Sequence, residues 1–138
     1  MIAQGANISQ LIQGNKLKAA VTKRCLQLDA TSDVIDNLRL LGNEFDGTEG
    51  TVTAIEKIGA NAITNTQTSG NDFSTCATLW SNTLGMLLGR NTYPASLTNP
   101  AGNLNADPGS EFWNPGGGAG TTLYVKESTT GTGGWVGK

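Results

Sequence analysis

The spacing of apolar residues in the first half of the chain places the strongest constraint on its fold. From residue 34 to residue 62, these positions recur at alternating steps of four and three. This is the heptad pattern of a helix that packs along one seam against another helix. The pattern consists of Val34, Leu38, Leu41, Phe45, Thr48, Val52, Ile55, Gly59 and Ala62. We therefore predict a helical seam that identical copies of the chain would cover.

Glycine argues against one continuous helical rod in this region. Gly42, Gly47, Gly50 and Gly59 fall within or beside the pattern, and each costs about 1 kcal/mol relative to alanine in a helix interior. Residues 46–50 also have the composition of a turn. A broken coiled coil or two short helices fit better, and an amphipathic helix that packs inside a monomer is the alternative.

A further helix is predicted upstream of the seam. Asn15 can cap it, and residues 16–28 are rich in helix-forming side chains. One face of this helix comprises Leu17, Val21, Arg24 or Cys25, and Leu28. Residues 1–63 are therefore assigned to a helical attachment and trimerisation region. The predicted trimer seam consists of Val34, Leu38, Leu41, Phe45, Val52 and Ile55.

The C-terminal part of the chain has a different composition. Ten of the 19 glycines lie between residues 102 and 137, and residues 121–127 alternate between apolar and polar faces. Glycine-rich turns flank this run, so residues 109–138 are predicted to form a small antiparallel β meander of three strands. Residues 64–108 are interpreted as an irregular or short-strand connector. The predicted fold class is α+β, with N-terminal helices in a trimeric coiled-coil-like assembly followed by the meander.

Charge and residue content exclude several functions. Histidine is absent, which excludes imidazole catalysis and His-ligated metal sites. The formal net charge of −2 provides no basic face for nucleic acid. No apolar run of about 18 residues could cross a bilayer, and the start lacks a basic-then-apolar secretion leader. We expect no membrane insertion and no cofactor.

The candidate chemical groups favour structural roles. The carboxylates of Asp33, Asp36, Glu44, Asp46 and Glu49 are expected to be solvated, because nothing apolar beside them would raise a pKa. Residues 116–120 lack the Lys-Ser/Thr that a phosphate loop needs, and no metal-ligand pattern appears. Cys25 and Cys76 are interpreted as reduced, partly buried thiols that act as small hydrophobic side chains, with a disulfide left open. We predict that the chain is not an enzyme.

The C-terminal sequence carries a family resemblance. Residues 109–113 (GSEFW), 121–127 (TTLYVKE) and 133–136 (GGWV) follow one another with glycine-rich turns between them. This order resembles a module at the ends of bacteriophage tail fibres and related virion proteins, over roughly the last thirty residues. The sequence departs from that pattern at Asn114-Pro115-Gly116, which affects the first turn. No family resemblance is found in residues 1–108.

The resemblance implies a virion structural protein, made in the host cytoplasm and most simply a short homotrimeric tail, baseplate or head fibre. Its partners would be itself and other virion proteins of the baseplate, neck or capsid. A capsid decoration (cement) protein is the first alternative. A module for host-surface glycans is the second, because Trp113, Tyr124 and Trp135 could stack on sugar rings. Those three aromatics could equally supply the packing of the meander.

Overall fold

The computed structural model describes residues 2–4, 10–19, 23–48, 51–81 and 86–138, with backbone alone for residues 2–4 and 81. These ranges contain fifteen strands. They are β1 (Ile2–Gln4), β2 (Leu11–Gln13), β3 (Lys16–Lys18), β4 (Arg24–Asp29), β5 (Ile35–Asp36), β6 (Arg39–Leu41), β7 (Glu44–Asp46), β8 (Thr53–Ile58), β9 (Ile63–Thr64), β10 (Thr66–Ser69), β11 (Thr78–Ser81), β12 (Met86–Leu88), β13 (Glu111–Trp113), β14 (Leu123–Lys126) and β15 (Trp135–Gly137).

The first twelve strands form a parallel β-helix. Sheet A has the order β1-β4-β8-β11, and sheet B has the order β12-β10-β6-β2. Shorter parallel pairs, β3-β7 in sheet C and β5-β9 in sheet D, lie at the corners. In each coil the chain runs from A to B and then returns to A one layer further on; it passes through D in the second and third coils and through C in the first two. Strands distant in sequence thus become neighbours, as in a solenoid of stacked repeats.

The register shows that the coils repeat. In sheet B, Leu11 pairs with Arg39 and Arg39 pairs with Gln67, so the first two steps are equal in length. The next step, from Thr66 to Met86, spans fewer residues. The structure therefore consists of four stacked coils in the described part of the chain, and the last step between coils is the shortest at this sheet.

The core lies inside the coils. Strand side chains alternate between the two faces of a sheet, so every second residue of sheet B points inward. One inward column consists of Ile12, Leu40, Thr68 and Leu88, all buried. The equivalent inward residues of sheet A include Leu26 and Ile55, each with no exposed surface. Burial of these columns supplies the hydrophobic driving force of the fold.

The α+β prediction and the coiled coil within it are wrong, because the described residues contain no helix. The predicted seam is divided among corners and the strands β6, β7 and β8. Val34 and Leu41 are half-buried, and the other four seam residues are fully buried within the single chain; these four are Leu38, Phe45, Val52 and Ile55. The heptad arises because inward residues of short strands, interrupted by corners, recur at a mean spacing close to that of a coiled coil.

The prediction of a helix over residues 16–28 is also wrong. Strands β3 and β4 occupy most of residues 16–28, and Val21 lies outside the described residues. Leu17 and Leu28 are buried, but on different faces of the coil. Asn15 does not cap a helix; it stands at a corner between β2 and β3.

The C-terminal strands form an antiparallel meander. Strand β14 pairs with β13 on one side and with β15 on the other. Tyr124 pairs with Phe112 on the face turned toward the β-helix, and Val125 pairs with Val136 on the outer face. The second turn requires glycine at 134, where φ is +74° and a Cβ would lie 2.0 Å from the Ser128 carbonyl oxygen.

The two cysteines lie in the interior of the coils. Cys25 and Cys76 are both buried and are not joined in a disulfide, and their thiols face the carbonyls of Asp46 and Phe45 at 3.7 and 3.2 Å. A hydrogen bond between the thiols raises the pKa of Cys76 and lowers that of Cys25. Asp46 has little exposed surface, and its carboxylate lies 3.3 Å from the ammonium of the exposed Lys16. Glu49 lies outside the described residues.

Candidate functional site

A ladder of asparagines marks the corner between sheets B and C. Asn15, Asn43, Asn71 and Asn91 occupy equivalent places in the four coils. In each step, one side-chain oxygen accepts from the backbone N–H and from the side-chain amide of the asparagine before it, at 2.9–3.2 Å. The ladder satisfies buried backbone groups that the turning chain would otherwise leave unpaired.

Aromatic rings stack directly behind this ladder. Phe45 and Phe73 lie with ring centroids 4.7 Å apart, and Tyr93 follows Phe73 at 6.1 Å. Phe112 of the meander continues the stack 4.9 Å from Tyr93. The stack therefore runs from the second coil into the meander and fixes the position of the meander on the last coil.

The fourth coil departs from the repeat at the corner residue. Gly14, Gly42 and Gly70 precede the first three asparagines of the ladder, with φ between +60° and +68°. Arg90 takes this place before Asn91, and its φ is not among the positive values of the chain. The backbone carbonyl of Arg90 accepts a hydrogen bond from the Gly70 N–H, whereas Gly14 and Gly42 donate to the residue that precedes the next corner glycine. An exposed arginine thus stands where the other coils have glycine, and such departures mark candidate functional positions.

Arg90 and Trp113 meet at one edge of a groove. The guanidinium carbon of Arg90 lies 4.8 Å from the centroid of the Trp113 ring, a cation–π contact. The Trp113 side chain is 36% exposed, and its Nε1–H donates to the Glu111 carboxylate at 3.0 Å. Arg90 forms no ion pair within the described part of the chain. The ring is therefore fixed while the cation stays available to a ligand.

The groove has a volume of about 760 Å³ and lies between the last coil and the first turn of the meander. Its rim includes Pro94, Leu97 and Pro115, and the side-chain amide of Asn114 donates to the Thr98 carbonyl at 3.1 Å across it. A smaller cavity of about 320 Å³ shares Pro94 and Leu97 with the groove. The groove is large enough for an organic ligand of several rings.

Tyr93 forms the floor of the groove. Burial raises the pKa of its phenol to about 12, and the side-chain amide of Asn91 lies 3.3 Å from its hydroxyl. The phenol therefore stays neutral in the physiological pH range and contributes shape rather than charge. Among the described residues that line the groove, Arg90 alone is charged.

The structure separates the three aromatics predicted as a glycan platform. Trp135 is buried against Lys126, and its Nε1–H donates to the Leu104 carbonyl at 3.0 Å. Tyr124 is half-buried and packs against Phe112 at a centroid distance of 6.0 Å. Trp113 projects from the opposite face of the meander, into the groove. The predicted aromatics therefore do not form one surface.

Sequence reasoning missed Arg90, Tyr93 and the asparagine ladder. A signal for them is present in the sequence: Gly-Asn-x-Leu/Phe at residues 14–17, 42–45 and 70–73, followed by Arg-Asn-Thr-Tyr at 90–93. A search for repeats at the spacing that separates Asn15 from Asn43 would have found the first three and shown the fourth as a variant.

The fold and the groove define the class of protein: a short parallel β-helix closed at one end by an antiparallel meander. No protein-family model matches the chain, and no curated protein or solved structure was found to match it. The described part of the chain has no helix long and apolar enough to cross a membrane. Within those same residues, no group of three or more Cys, Asp or Glu side chains could hold a metal ion.

Proposed function

We propose that the chain is a structural component of a bacteriophage virion, most simply a short homotrimeric fibre of the tail, baseplate or head. One observation supports this most: residues 109–138 resemble the fibre module in sequence, and their strands form an antiparallel meander that follows a stack of parallel coils. A β-helix suits a fibre because it grows in one direction by adding coils. In this role the protein catalyses no reaction.

The meander also supplies a surface for association. Trp113 and Val136, two of the three most exposed large hydrophobic side chains among the described residues, project from its outer face. Leu123 and Val125 lie between them and are half-buried. An apolar face of this kind is typical of protein–protein contact. We assign the contact between protomers to the part of this face around Val125 and Val136.

Purified particles provide the test of the virion assignment. Mass spectrometry of virions from the source of the sequence should detect the chain, and gold-labelled antibody should mark the tail, baseplate or neck. Label at many lattice points of the head would favour the decoration protein instead. Absence of the chain from particles that contain every other structural protein would overturn the proposal.

The oligomeric state is a separate measurement. Native mass spectrometry of the full chain should give a trimer, and Val136→Asp should give monomers because it places a charge in the apolar contact. Leu11→Asp is the matched control, since Leu11 is 60% exposed in β2 at the other end of the β-helix. A wild-type chain that stays monomeric would contradict the trimer, and equal effects of the two variants would contradict the contact at Val136.

A further inference from the structure

The groove combines a free cation with a fixed aromatic ring. Arg90 is exposed and stacks on Trp113, and no carboxylate of the described residues lies within ion-pair distance of it. The acidic group at the ring is that of Glu111, which accepts the indole N–H at 3.0 Å. The guanidinium can therefore present its paired N–H groups to an incoming carboxylate, which it binds in a bidentate geometry.

Neutral hydrogen-bonding groups line the rest of the groove. Thr92, Thr98 and Thr122 are exposed there, and their hydroxyls form no hydrogen bond within the described part of the chain. A row of hydroxyls beside a flat indole matches a ligand that carries many hydroxyls on an apolar ring face. Pyranose sugars have that combination, since their C–H groups cluster on one face and their hydroxyls project around the edge.

We propose that this groove binds an acidic saccharide, with a carboxylate on Arg90, a pyranose ring against Trp113 and ring hydroxyls on the threonines. This inference goes beyond the structural role proposed above and does not depend on it. The ligand carries its acidic groups singly along a sugar chain. A polyanion such as nucleic acid would need several cations, whereas the groove supplies one and the chain has a net charge of −2.

The position of Arg90 in the repeat indicates a specific binding site. Three coils place a glycine with positive φ before the asparagine of the ladder, and the fourth places Arg90 there, at the groove. Below it, Asn91 is buried and held by the amide of Asn71 at 3.0 Å. The cation therefore projects from a rigid corner, which lowers the entropy lost when a ligand is bound.

The test uses the full chain on a glycan array. The array carries sialylated and uronic-acid oligosaccharides, each paired with a neutral analogue in which the carboxyl group is reduced to an alcohol. We expect binding to acidic members and at least about tenfold weaker binding to their reduced partners. Calorimetry with the best pair then gives the dissociation constants for the variants.

Four variants separate the parts of the site. Arg90→Gln should weaken binding of the acidic saccharide about 10- to 100-fold, and Arg90→Lys should give a smaller loss because lysine keeps the charge without the planar fork. Trp113→Ala should weaken acidic and neutral members alike, by about tenfold. Arg39→Gln is the matched control, because Arg39 lies on the outer face of sheet B, away from the groove.

Folding and assembly are measured for each variant, by circular dichroism and native mass spectrometry, so that a loss of binding is compared only among equally folded and equally assembled chains. Absence of binding to every acidic glycan would overturn the proposal. So would equal binding of the acidic and reduced partners, or unchanged binding by Arg90→Gln. Binding of acidic peptides without binding of glycans would also overturn it.

Discussion

The β-helix and the meander are both built from short strands, but they are stabilised in different ways. In the β-helix, strands pair in parallel with strands of neighbouring coils, and buried asparagines and aromatic rings link one coil to the next. In the meander, neighbouring strands pair antiparallel across glycine turns. The first region depends on repetition between coils, and the second depends on local turns and on its contact with the first.

The junction between the regions shows how one protects the other. The last strand of sheet B, β12, would present an unpaired edge to solvent. Ser110 accepts from the Leu88 N–H through its hydroxyl at 2.9 Å, and the Asp107 N–H donates to the Met86 carbonyl at 3.0 Å. The segment that leads into the meander therefore closes this edge of the β-helix.

The meander has a polar group where the β-helix has apolar columns. Lys126 is buried, its ammonium donates to the Gly133 carbonyl, and it lies 5.5 Å from the centroid of the Trp135 ring. Burial lowers the pKa of Lys126, and the nearby Asp107 partly opposes this. A buried cation contributes less net stability than an apolar side chain of similar size, so we expect the meander to open before the coils do.

The largest effect is expected from cutting the aromatic stack. Phe73 has no exposed surface and lies between Phe45 and Tyr93. Phe73→Ala should lower the free energy of unfolding by about 3–5 kcal/mol, from lost burial and the cavity left behind. Urea denaturation followed by tryptophan fluorescence measures the change.

Trp113→Ala is the control for this prediction. The exposed Trp113 ring contacts Arg90 at the surface, so its removal should cost about 1 kcal/mol or less. Similar losses of unfolding free energy for Phe73→Ala and Trp113→Ala would show that the aromatic stack is not a main source of stability in the β-helix.

The second effect comes from the asparagine ladder. Asn71 is buried, accepts from the Asn43 N–H at 2.9 Å and donates to the Leu40 carbonyl at 2.8 Å. Asn71→Ala leaves these groups unpaired and should lower the free energy of unfolding by about 2–4 kcal/mol. Asn15→Ala, at the exposed first position of the ladder, should cost less than about 1 kcal/mol.

Thermal and urea unfolding of the two asparagine variants provide the measurement. Equal losses of unfolding free energy in the two variants would contradict the prediction. They would show that a buried asparagine of the ladder stabilises the β-helix no more than the exposed asparagine at its first position.

The third effect tests whether the meander opens on its own. Gly134→Ala places a Cβ 2.0 Å from the Ser128 carbonyl oxygen at φ +74°, whereas Gly120→Ala has a similar φ of +75° and open space. Gly134→Ala should cost more than about 2 kcal/mol and Gly120→Ala about 1 kcal/mol. Hydrogen exchange should speed up at amides of β14 and β15 and stay slow in sheet B. Faster exchange throughout sheet B would show that the two regions unfold together.

The strands of the meander could be predicted from the sequence, whereas those of the β-helix could not, and the difference has a physical reason. Alternation over residues 121–127 and the flanking glycines are local signals, and they predict strands that pair with their neighbours. The β-helix pairs Leu11 with Arg39, so its pattern exists only between coils. Within one coil, inward residues recur often enough to imitate a heptad, and the repeat is visible only when Gly14-Asn15, Gly42-Asn43 and Gly70-Asn71 are aligned.

One residue of the candidate site was also singled out from the sequence. Trp113 was singled out from its residue type, and the structure places it at a groove. Its companions in that prediction, Tyr124 and Trp135, alternate onto the inner face, which the strand period already implied for Tyr124. Arg90 could not be assigned without the repeat, because only the comparison with the three preceding corner glycines shows that it is exceptional.

The smallest effect is a dependence of β-helix stability on acid. The Asp46 carboxylate accepts from the hydroxyl and the N–H of Thr48 at 2.6 and 3.1 Å, and it lies 3.3 Å from the Lys16 ammonium. These contacts lower the pKa of Asp46 to about 2, against about 3.9 in an unfolded chain. Because the folded pKa is the lower one, the stabilisation is fully present above about pH 4 and is lost as the pH falls toward 2.

Urea midpoints at pH 5 and pH 2.5 measure this dependence, and they should differ more for the wild type than for Asp46→Asn. The difference for Thr48→Val should lie between those of the wild type and Asp46→Asn, because this variant removes the hydroxyl and keeps the N–H and lysine contacts. An equal pH dependence in all three chains would exclude Asp46 as a source of acid sensitivity. The remaining candidate in the β-helix would then be Asp36, whose pKa is lowered chiefly by the Thr64 hydroxyl that donates to it at 2.6 Å.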